Sequence, residues 1–225
     1  QLPIGDLRTD AKENLITAIQ IASLQENGKP VITEVCLYFE YKLYRGNRTS
    51  KVNAEHFRAF TAPNYPELVE SGVHLKLNRH LFLPVNKNAN LIVHKNLDNH
   101  VAIIKMFPGM SEIVLTSILA TQGLRGIVLE TYGSGNAPTE DWFLNLIEKA
   151  IKSGIHIVNV TQCSGGSVNM GQYETSTALK SLGVISGKDI TTEAAITKLM
   201  YLLGHNIPQN EFKDIFETAL RGEIS

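Results

Sequence analysis

The chain has 225 residues, of which 43% are hydrophobic and 19% charged, and its formal net charge is −1. This balance is ordinary for a globular protein and offers neither a basic surface for nucleic acid nor a polybasic membrane patch. No apolar run approaches the 18 residues of a transmembrane helix, so we predict neither a nucleic-acid nor a membrane partner.

The first hundred residues predict one helix followed by short strands. Residues 9–25 carry a possible N-cap at Thr9 or Asp10 and an apolar face formed by Leu15, Ile16, Ile19 and Ala22. Residues 31–39 and 42–44 predict strands, residues 54–60 a helical turn, and residues 61–100 loops, short strands and an interdomain connection.

From residue 101 onward, strands alternate with helices. The predicted strands are 101–107, 126–132 and 155–161, and the predicted helices are 111–121, 139–153, 174–182, 191–203 and 209–221. Alternation of this kind is typical of βαβ units around a parallel sheet, and near-continuous apolar strands indicate that both faces are covered. We predict an α/β protein in which residues 1–100 are the remainder of an N-terminal α/β domain with its connection, and residues 101–225 a smaller C-terminal Rossmann-like domain with a parallel sheet.

Three glycine-bearing loops leave the carboxyl edge of this predicted sheet, at residues 108–111, 133–138 and 163–167. Ligands of open parallel sheets bind at this edge. The second loop begins like a dinucleotide fingerprint, but Pro138 occupies the position of its third glycine, which disfavours nucleotide binding. No histidine or cysteine pair has metal-ligand spacing, so we expect no metal and no cofactor.

A basic cluster of Arg45, Arg48 and Lys51 follows the first predicted strands. One interpretation is the solvated tip of a hairpin. The other is a lysine whose pKa is lowered by two neighbouring guanidinium groups and by partial burial, which suits a general base near neutral pH. Spacing alone leaves both interpretations open.

Several segments together resemble the bacterial-type L-asparaginases. They are residues 1–10 (QLPIGDLRTD), 43–51 (LYRGNRTSK), 60–64 (FTAPN), 132–138 (YGSGNAP), 159–163 (NVTQC) and 168–173 (VNMGQY). The last three are similar to the cytoplasmic, type I branch, and the resemblance continues to residues 221–223. Each segment is weakly specific by itself, but the set is highly specific.

The resemblance implies hydrolysis of L-asparagine to L-aspartate and ammonia through a threonine acyl-enzyme, without a cofactor. Lys51 matches the lysine of the family's proton-handling triad. The family's threonine motifs, Thr-Gly-Gly-Thr and His-Gly-Thr-Asp-Thr, do not occur in these 225 residues. From the order of the motifs, we expect them upstream of Gln1, on a segment of about 100 residues, the size of most of one domain.

The resemblance also implies active sites shared between subunits of a homodimer or homotetramer. Asn136 matches an asparagine that faces the neighbouring subunit's site, and Tyr173 lies near a further substrate contact there. Cys163 marks the turn near which some relatives bind L-asparagine as an effector. Glu130 stands where some relatives have an arginine, and a carboxylate does not clamp a substrate carboxylate, so we do not expect effector control.

Two alternatives remain. The chain is a non-catalytic binding or assembly module, or it belongs to the asparaginase-like component of a transfer-RNA-dependent amidotransferase, which shares the fold and the threonine chemistry. The type I segments favour the free enzyme. Two cysteines far apart in sequence, Cys36 and Cys163, fit reduced thiols and a cytoplasmic location better than a disulfide framework.

Overall fold

The computed structural model describes residues 2–84, 90–171 and 174–225, whose elements fall into two units, Gln1–Leu91 and Ile92–Ser225. The described part of the first unit contains α1 (Ala11–Ala22), β1 (Gln25–Glu26), β2 (Lys29–Pro30), β3 (Cys36–Phe39), β4 (Lys42–Arg45), β5 (Ser50–Lys51), β6 (Phe60–Thr61), β7 (Val69–Ser71) and β8 (Leu75–Leu77). Short 3-10 turns occupy Gly46–Arg48 and Arg79–Leu81.

The main sheet of the first unit is antiparallel, with the strand order β3-β4-β7-β8. Its core joins one residue of α1 to side chains of the sheet and its loops: Ile21, Tyr38, Leu43, Leu68 and Val69. Strands β5 and β6 form a separate antiparallel pair. The predicted helical turn at residues 54–60 is wrong, because Asn53 Oδ1 accepts hydrogen bonds from the backbone N–H groups of Glu55 and His56 and closes a side-chain turn instead.

Helix α1 forms where it was predicted, but it buries the other face. The apolar face predicted from the sequence is exposed in this chain, with Leu15, Ile16 and Ile19 at 52–61% exposure. Asn14 and Thr17 are buried instead, and both are satisfied by hydrogen bonds. The Asn14 side chain donates to Asp10 and accepts from the backbone N–H of Glu40, and Thr17 donates to Glu13. Partnered polar groups tolerate burial, so periodicity alone did not identify the inner face.

The second unit is built around strands that alternate with helices. Its elements are β9 (Val101–Lys105), α2 (Glu112–Leu119), β10 (Gly126–Thr131), α3 (Asp141–Lys152), β11 (His156–Thr161), α4 (Glu174–Ser181), β12 (Ile185–Ser186), α5 (Thr192–Gly204) and α6 (Gln209–Phe216). The strands pair in parallel in the order β12-β11-β10-β9. The predicted α/β class with a parallel sheet is confirmed, and the two-residue strand β12 is an addition to the predicted strands.

Alternate residues of β10 and β11 serve two different cores, as the pleat of a strand requires. Ile127 and Leu129 of β10 face helices α2, α3 and α4 in one cluster, whereas Val128 faces α5 and α6 in the other. In α3, Phe143, Ile147 and Ala150 recur at helical spacing on the buried side. Each fully buried Ile, Leu or Phe side chain contributes about 1.5–3 kcal/mol, so two covered faces give the sheet a stable frame.

The start of helix α2 agrees with the sequence prediction, whereas the start of helix α3 differs from it. Ser111 caps α2 as predicted, and its side chain accepts a hydrogen bond from the backbone N–H of Val114. Helix α3 begins at Asp141, so Pro138 belongs to the preceding loop. None of the helices in the described part of the chain has the length and hydropathy of a membrane-spanning segment.

Candidate functional site

Lys51 lies on the short strand β5, directly opposite Phe60 of β6. Its ammonium nitrogen is 5.9 Å from the centroid of the Phe60 ring. The residue is exposed, so the partial burial assumed in the general-base interpretation is not observed in this chain. An exposed amine on a paired strand is accessible to a reacting group, but its position alone does not reveal a role.

The two arginines of the basic cluster are buried, which contradicts the hypothesis of a solvated hairpin tip. Arg45 is 3% exposed and Arg48 is 2% exposed. The Arg45 Nε lies 2.5 Å from a Glu34 carboxylate oxygen, and its Nη2 donates to the carbonyl of Leu81 at 2.9 Å. Both guanidinium groups lie over the Tyr65 ring, with their carbons 4.3 and 5.2 Å from its centroid. These arginines therefore anchor the segment that leads to Lys51.

The turn between Arg45 and Lys51 is fixed by its backbone. The N–H of Gly46 donates to the carbonyl of Val35 at 2.9 Å, and a Cβ at Gly46 would lie only 3.0 Å from that same oxygen. The Thr49 hydroxyl donates to the Arg45 carbonyl at 2.8 Å. The glycine therefore permits a close approach of two backbone segments. The backbone that leads into β5 and Lys51 is restrained by these hydrogen bonds.

Asn136 lies in the loop of residues 133–138, which follows β10. Its backbone exchanges two hydrogen bonds with Tyr132, at 2.9 and 2.8 Å, which closes the loop into a tight turn. The residue is partly exposed. The loop is thus rigid at its backbone while one side of it remains open to solvent.

Cys163 lies at the same sheet edge as this loop, because Thr131 and Thr161 are paired at the carboxyl ends of β10 and β11. The Thr161 hydroxyl donates to the Gly133 carbonyl at 2.6 Å and accepts from the Cys163 N–H at 3.0 Å. This one side chain therefore joins the Asn136 loop to the Cys163 turn. Cys163 itself is exposed and is a free thiol.

Glu130 is held by neighbours within the sheet edge. Its carboxylate accepts a hydrogen bond from the Thr192 hydroxyl at 2.7 Å and lies 3.9 Å from the Lys105 ammonium. Gln162 donates to the Glu130 carbonyl at 2.9 Å. The Glu130 carboxylate therefore has a hydroxyl partner and a positively charged neighbour within its own chain, and the absence of effector control stays a prediction.

The predicted site residues are distributed over both units. Lys51 belongs to the first unit, whereas Asn136 and Cys163 belong to the second and share one sheet edge. Tyr173 lies outside the described residues. Within residues 2–84, 90–171 and 174–225, no group of three or more His, Cys, Asp or Glu side chains is arranged to hold a metal ion.

Sequence reasoning missed Glu34, Thr131 and Asn159. Glu34 binds both Arg45 and the N–H of Leu83, and Thr131 and Asn159 are completely buried beneath the loop of Asn136. Polar residues inside otherwise apolar strands are the signal that was available, because such groups are buried only with partners.

Two family models match this chain. The model described as "Asparaginase, N-terminal" matches residues 1–82, and the one described as "Glutaminase/Asparaginase C-terminal domain" matches residues 100–216. Lys51 lies in the first match, and Asn136 and Cys163 lie in the second.

Individual proteins are also similar over the whole chain. The L-asparaginase 1 of Escherichia coli is 40% identical, over 100% of this chain and 64% of its own length. The 60 kDa lysophospholipase of Mus musculus is 38% identical, over 100% of this chain and 39% of its own length. Components of archaeal glutamyl-tRNA(Gln) amidotransferases match at lower identity. The crystal structure of L-asparaginase I from Vibrio cholerae matches with a TM-score of 0.91 and 39% identity, over 100% of this chain and 66% of that one. The chain therefore spans about two thirds or less of these proteins.

Proposed function

Because this chain belongs to the glutaminase/asparaginase family, we propose that the protein containing it hydrolyses the side-chain amide of L-asparagine, releasing L-aspartate and ammonia. The observation that carries this proposal is the match of both family models, one to each half of the chain. The similarity to proteins described as L-asparaginase supports the choice of substrate.

In the proposed mechanism, a threonine hydroxyl attacks the amide carbon and Lys51 handles the proton of that nucleophile. The attack forms an acyl-enzyme and releases ammonia, and water then hydrolyses the ester to L-aspartate and frees the threonine. We assign none of the threonines of this chain as that nucleophile. The accessible amine of Lys51 supports its role, and the buried arginines and the Gly46 turn would hold it in a defined position.

Asn136 and Tyr173 are proposed to contact substrate in the site of a neighbouring subunit. The rigid backbone of the loop of residues 133–138, with one side open to solvent, supports this for Asn136. The assembly is then a homodimer or a homotetramer. Light scattering on the purified protein distinguishes these two, and a monomer at all concentrations would contradict the shared site.

A cytoplasmic location is proposed for the same protein. Both cysteines of the chain are free thiols, as is usual in a reducing compartment. Cell fractionation with an antibody against the protein tests this, and recovery of the protein with secreted or surface fractions would contradict it.

The reaction is tested by measuring ammonia and L-aspartate released from L-asparagine by the purified protein. L-glutamine serves as the second substrate, because it separates amide hydrolysis in general from a preference for asparagine. Release from L-asparagine by the protein alone, without transfer RNA or another protein, supports the free amidohydrolase. No release from either amide would overturn the proposal.

The role of Lys51 is tested with Lys51→Met, which keeps the length of the side chain and removes its amine. Loss of an acid–base group lowers kcat about 100- to 10,000-fold. Lys76→Met is the matched control, because Lys76 is an exposed lysine of β8 in the same unit, and we expect it to stay within about twofold of the unmodified protein. Equal activity of both variants would remove Lys51 from the mechanism.

Site sharing is tested by complementation. Asn136→Ala and Lys51→Met subunits are each expected to form oligomers with little activity. When the two are mixed, unfolded together and refolded, some sites receive an intact lysine from one subunit and an intact asparagine from another. Recovered activity supports sharing between subunits, and no recovery argues that each site is built from one chain.

Two other activities are suggested by the names of relatives. A component of an amidotransferase would require a partner protein and transfer RNA, and a lysophospholipase would release fatty acid from a lysophospholipid. The identity to the amidotransferase components is lower, and the chain spans only 39% of the mouse lysophospholipase. Fatty-acid release from lysophosphatidylcholine by the purified protein would establish the second activity for it.

A further inference from the structure

Two polar side chains, Thr131 and Asn159, lie side by side in the interior of the parallel sheet. Both are 0% exposed. The Thr131 hydroxyl donates to the Asn159 side-chain oxygen at 2.6 Å, and the two residues belong to the neighbouring strands β10 and β11. Apolar residues of the same volume would fill this space without a need for hydrogen bonds, so the pair calls for an explanation beyond packing.

The Asn159 amide is oriented by two partners, the hydroxyl of Thr131 and the backbone carbonyl of Gly135. Because the amide oxygen accepts from Thr131, the amide nitrogen points the opposite way and donates to the backbone carbonyl of Gly135 at 3.2 Å. A rotated amide would bring its oxygen against the Gly135 carbonyl, where two acceptors repel. The Gly135 carbonyl therefore requires the nitrogen end of the amide, and the Thr131 hydroxyl stabilises that orientation by donating to the oxygen end.

Gly135 lies so close to Asn159 and Val168 that only a glycine fits. Its φ is +109°, and a Cβ there would be 2.7 Å from the Val168 side chain and 3.1 Å from the Asn159 amide nitrogen. The next residue in the loop is Asn136, whose backbone N–H donates to the carbonyl of Tyr132. A displacement of the Gly135 carbonyl would therefore displace Asn136.

The rest of the loop is restrained from other directions. The Thr161 hydroxyl donates a hydrogen bond to the Gly133 carbonyl at 2.6 Å, and the Asn169 N–H donates to the Ser134 carbonyl at 3.0 Å. Gly135, the residue immediately before Asn136, is restrained at its carbonyl by the Asn159 amide and at its N–H by the Tyr132 carbonyl, at 3.1 Å. Since the Asn159 amide is buried, its bond restrains the loop from the inner side.

We propose that Thr131 and Asn159 are positioning residues, which hold the backbone of Gly135 so that Asn136 is presented in the geometry needed for substrate. This inference rests on the proposed function, in which Asn136 contacts L-asparagine. Neither Thr131 nor Asn159 touches substrate, and both act through the loop. Their effect on turnover should therefore follow the rigidity of the loop and not the stability of the fold.

The test uses the complete protein with Thr131→Val, which has nearly the same shape but no hydroxyl, and with Thr131→Ser, which restores the hydroxyl. Val158→Ala is the matched control, because Val158 is equally buried beside Asn159 but packs on the opposite face of the sheet. Asn159→Ala, which removes the donor to Gly135 directly, is the second variant if Thr131→Val does not fold. Each variant is measured for thermal stability, amide hydrogen exchange, kcat and KM.

Thr131→Val is expected to speed the amide exchange of Gly135 and Asn136 about tenfold and to lower kcat by a similar factor, the size of one lost hydrogen bond. Thr131→Ser should recover both properties. Val158→Ala should lower the melting temperature while leaving the loop exchange and kcat of the folded protein unchanged.

Three results would overturn the inference. The first is unchanged exchange at Gly135 and Asn136 in Thr131→Val. The second is an equal loss of kcat in Val158→Ala, which would indicate a general effect of stability. The third is faster loop exchange with normal turnover in Thr131→Val. An Asn136→Ala control then separates the causes: if it reduces turnover, only the positioning role fails, and if it does not, the proposed role of Asn136 fails as well.

Discussion

The buried ion pair between Lys198 and Glu223 provides a sharp test of how the second unit is held together. Lys198 lies on α5, and its ammonium is 2.5 Å from the Glu223 carboxylate and 2.6 Å from the Thr218 carbonyl. The two side chains are 4% and 7% exposed. We predict that Lys198→Met, which keeps the length of the side chain, destabilises this unit because it leaves a buried carboxylate without its counter-charge.

The magnitude follows from what remains after the substitution. Removing one partner of a buried ion pair lowers the free energy of unfolding by about 3–5 kcal/mol. Glu223 keeps hydrogen bonds from the N–H groups of Leu220 and Arg221, and methionine continues to pack near Phe216, so we expect about 3 kcal/mol. At about 2–4 °C per kcal/mol for a chain of this size, the melting temperature should fall by about 6–12 °C.

The Glu223 carboxyl is already adapted to the charged form. Burial by itself raises its pKa, but hydrogen bonds from the Leu220 N–H, from Lys198 and from the Arg221 N–H outweigh burial and hold the pKa below its ordinary value. Replacing Glu223 by glutamine in the Lys198→Met background removes the unpaired charge while retaining an oxygen that accepts those N–H groups. The double variant should therefore regain part of the stability lost in the single one.

Urea unfolding followed by circular dichroism measures these differences, with Lys152→Met as the control. Lys152 pairs with Glu148 one helical turn away on the exposed side of α3, and loss of this pair should change stability by less than about 0.5 kcal/mol. A Lys198→Met variant within about 1 kcal/mol of the unmodified protein would refute the reasoning. So would a double variant that is less stable than the single one.

Further predictions concern pH, thiol reactivity and the loop of residues 133–138. Burial, and then the charge of Arg125, lower the pKa of His156 below its ordinary 6.5. The unfolded chain therefore binds the proton more readily, and the free energy of unfolding falls as the pH drops through 6.5. His156→Gln should flatten that dependence of the melting temperature between about pH 7 and pH 5, and an unchanged slope would contradict the prediction. Burial raises the pKa of the Cys36 thiol to about 11, so iodoacetamide at about pH 8 should label the exposed Cys163 first, as peptide mass spectrometry would show. Equal labelling rates in the native protein would be inconsistent with this burial. Gly135→Ala should lower the free energy of unfolding by about 1–3 kcal/mol, because its Cβ would lie only 2.7 Å from Val168. Gly133→Ala should lower it less in the same urea experiment, because the Cβ there meets only one side-chain atom, at 4.0 Å.

The parallel sheet of the second unit was predictable because its determinants are local. Apolar runs of five or six residues, helices between them and the Ser111 cap are all encoded by residues close together in sequence. The strand bounds differ from the predicted ones by only one or two residues, except for β12, which is too short to produce a pattern.

The candidate site was predictable only in part. Sequence patterns located the loops that carry Lys51, Asn136 and Cys163, and the resemblance supplied their expected roles. Patterns did not show that Arg45 and Arg48 are buried while Lys51 is exposed, because that depends on Glu34 and Tyr65, which approach from other segments of the chain. The roles of Lys51, Asn136 and Tyr173 stay predictions.

Local sequence patterns were sufficient for the fold class, for the alternation of the longer strands and helices of the second unit and for the loops at its sheet edge, since these depend on interactions between near neighbours in the chain. Three features became visible only in the folded chain: the buried face of α1, the contact of Thr131 with Asn159 and the ion pair of Lys198 with Glu223. The two contacts join residues 28 and 25 positions apart, and strand register and helix packing bring them together. A periodic pattern marks a residue as apolar or polar, but the partner that makes burial of a polar group favourable is found only when distant segments meet.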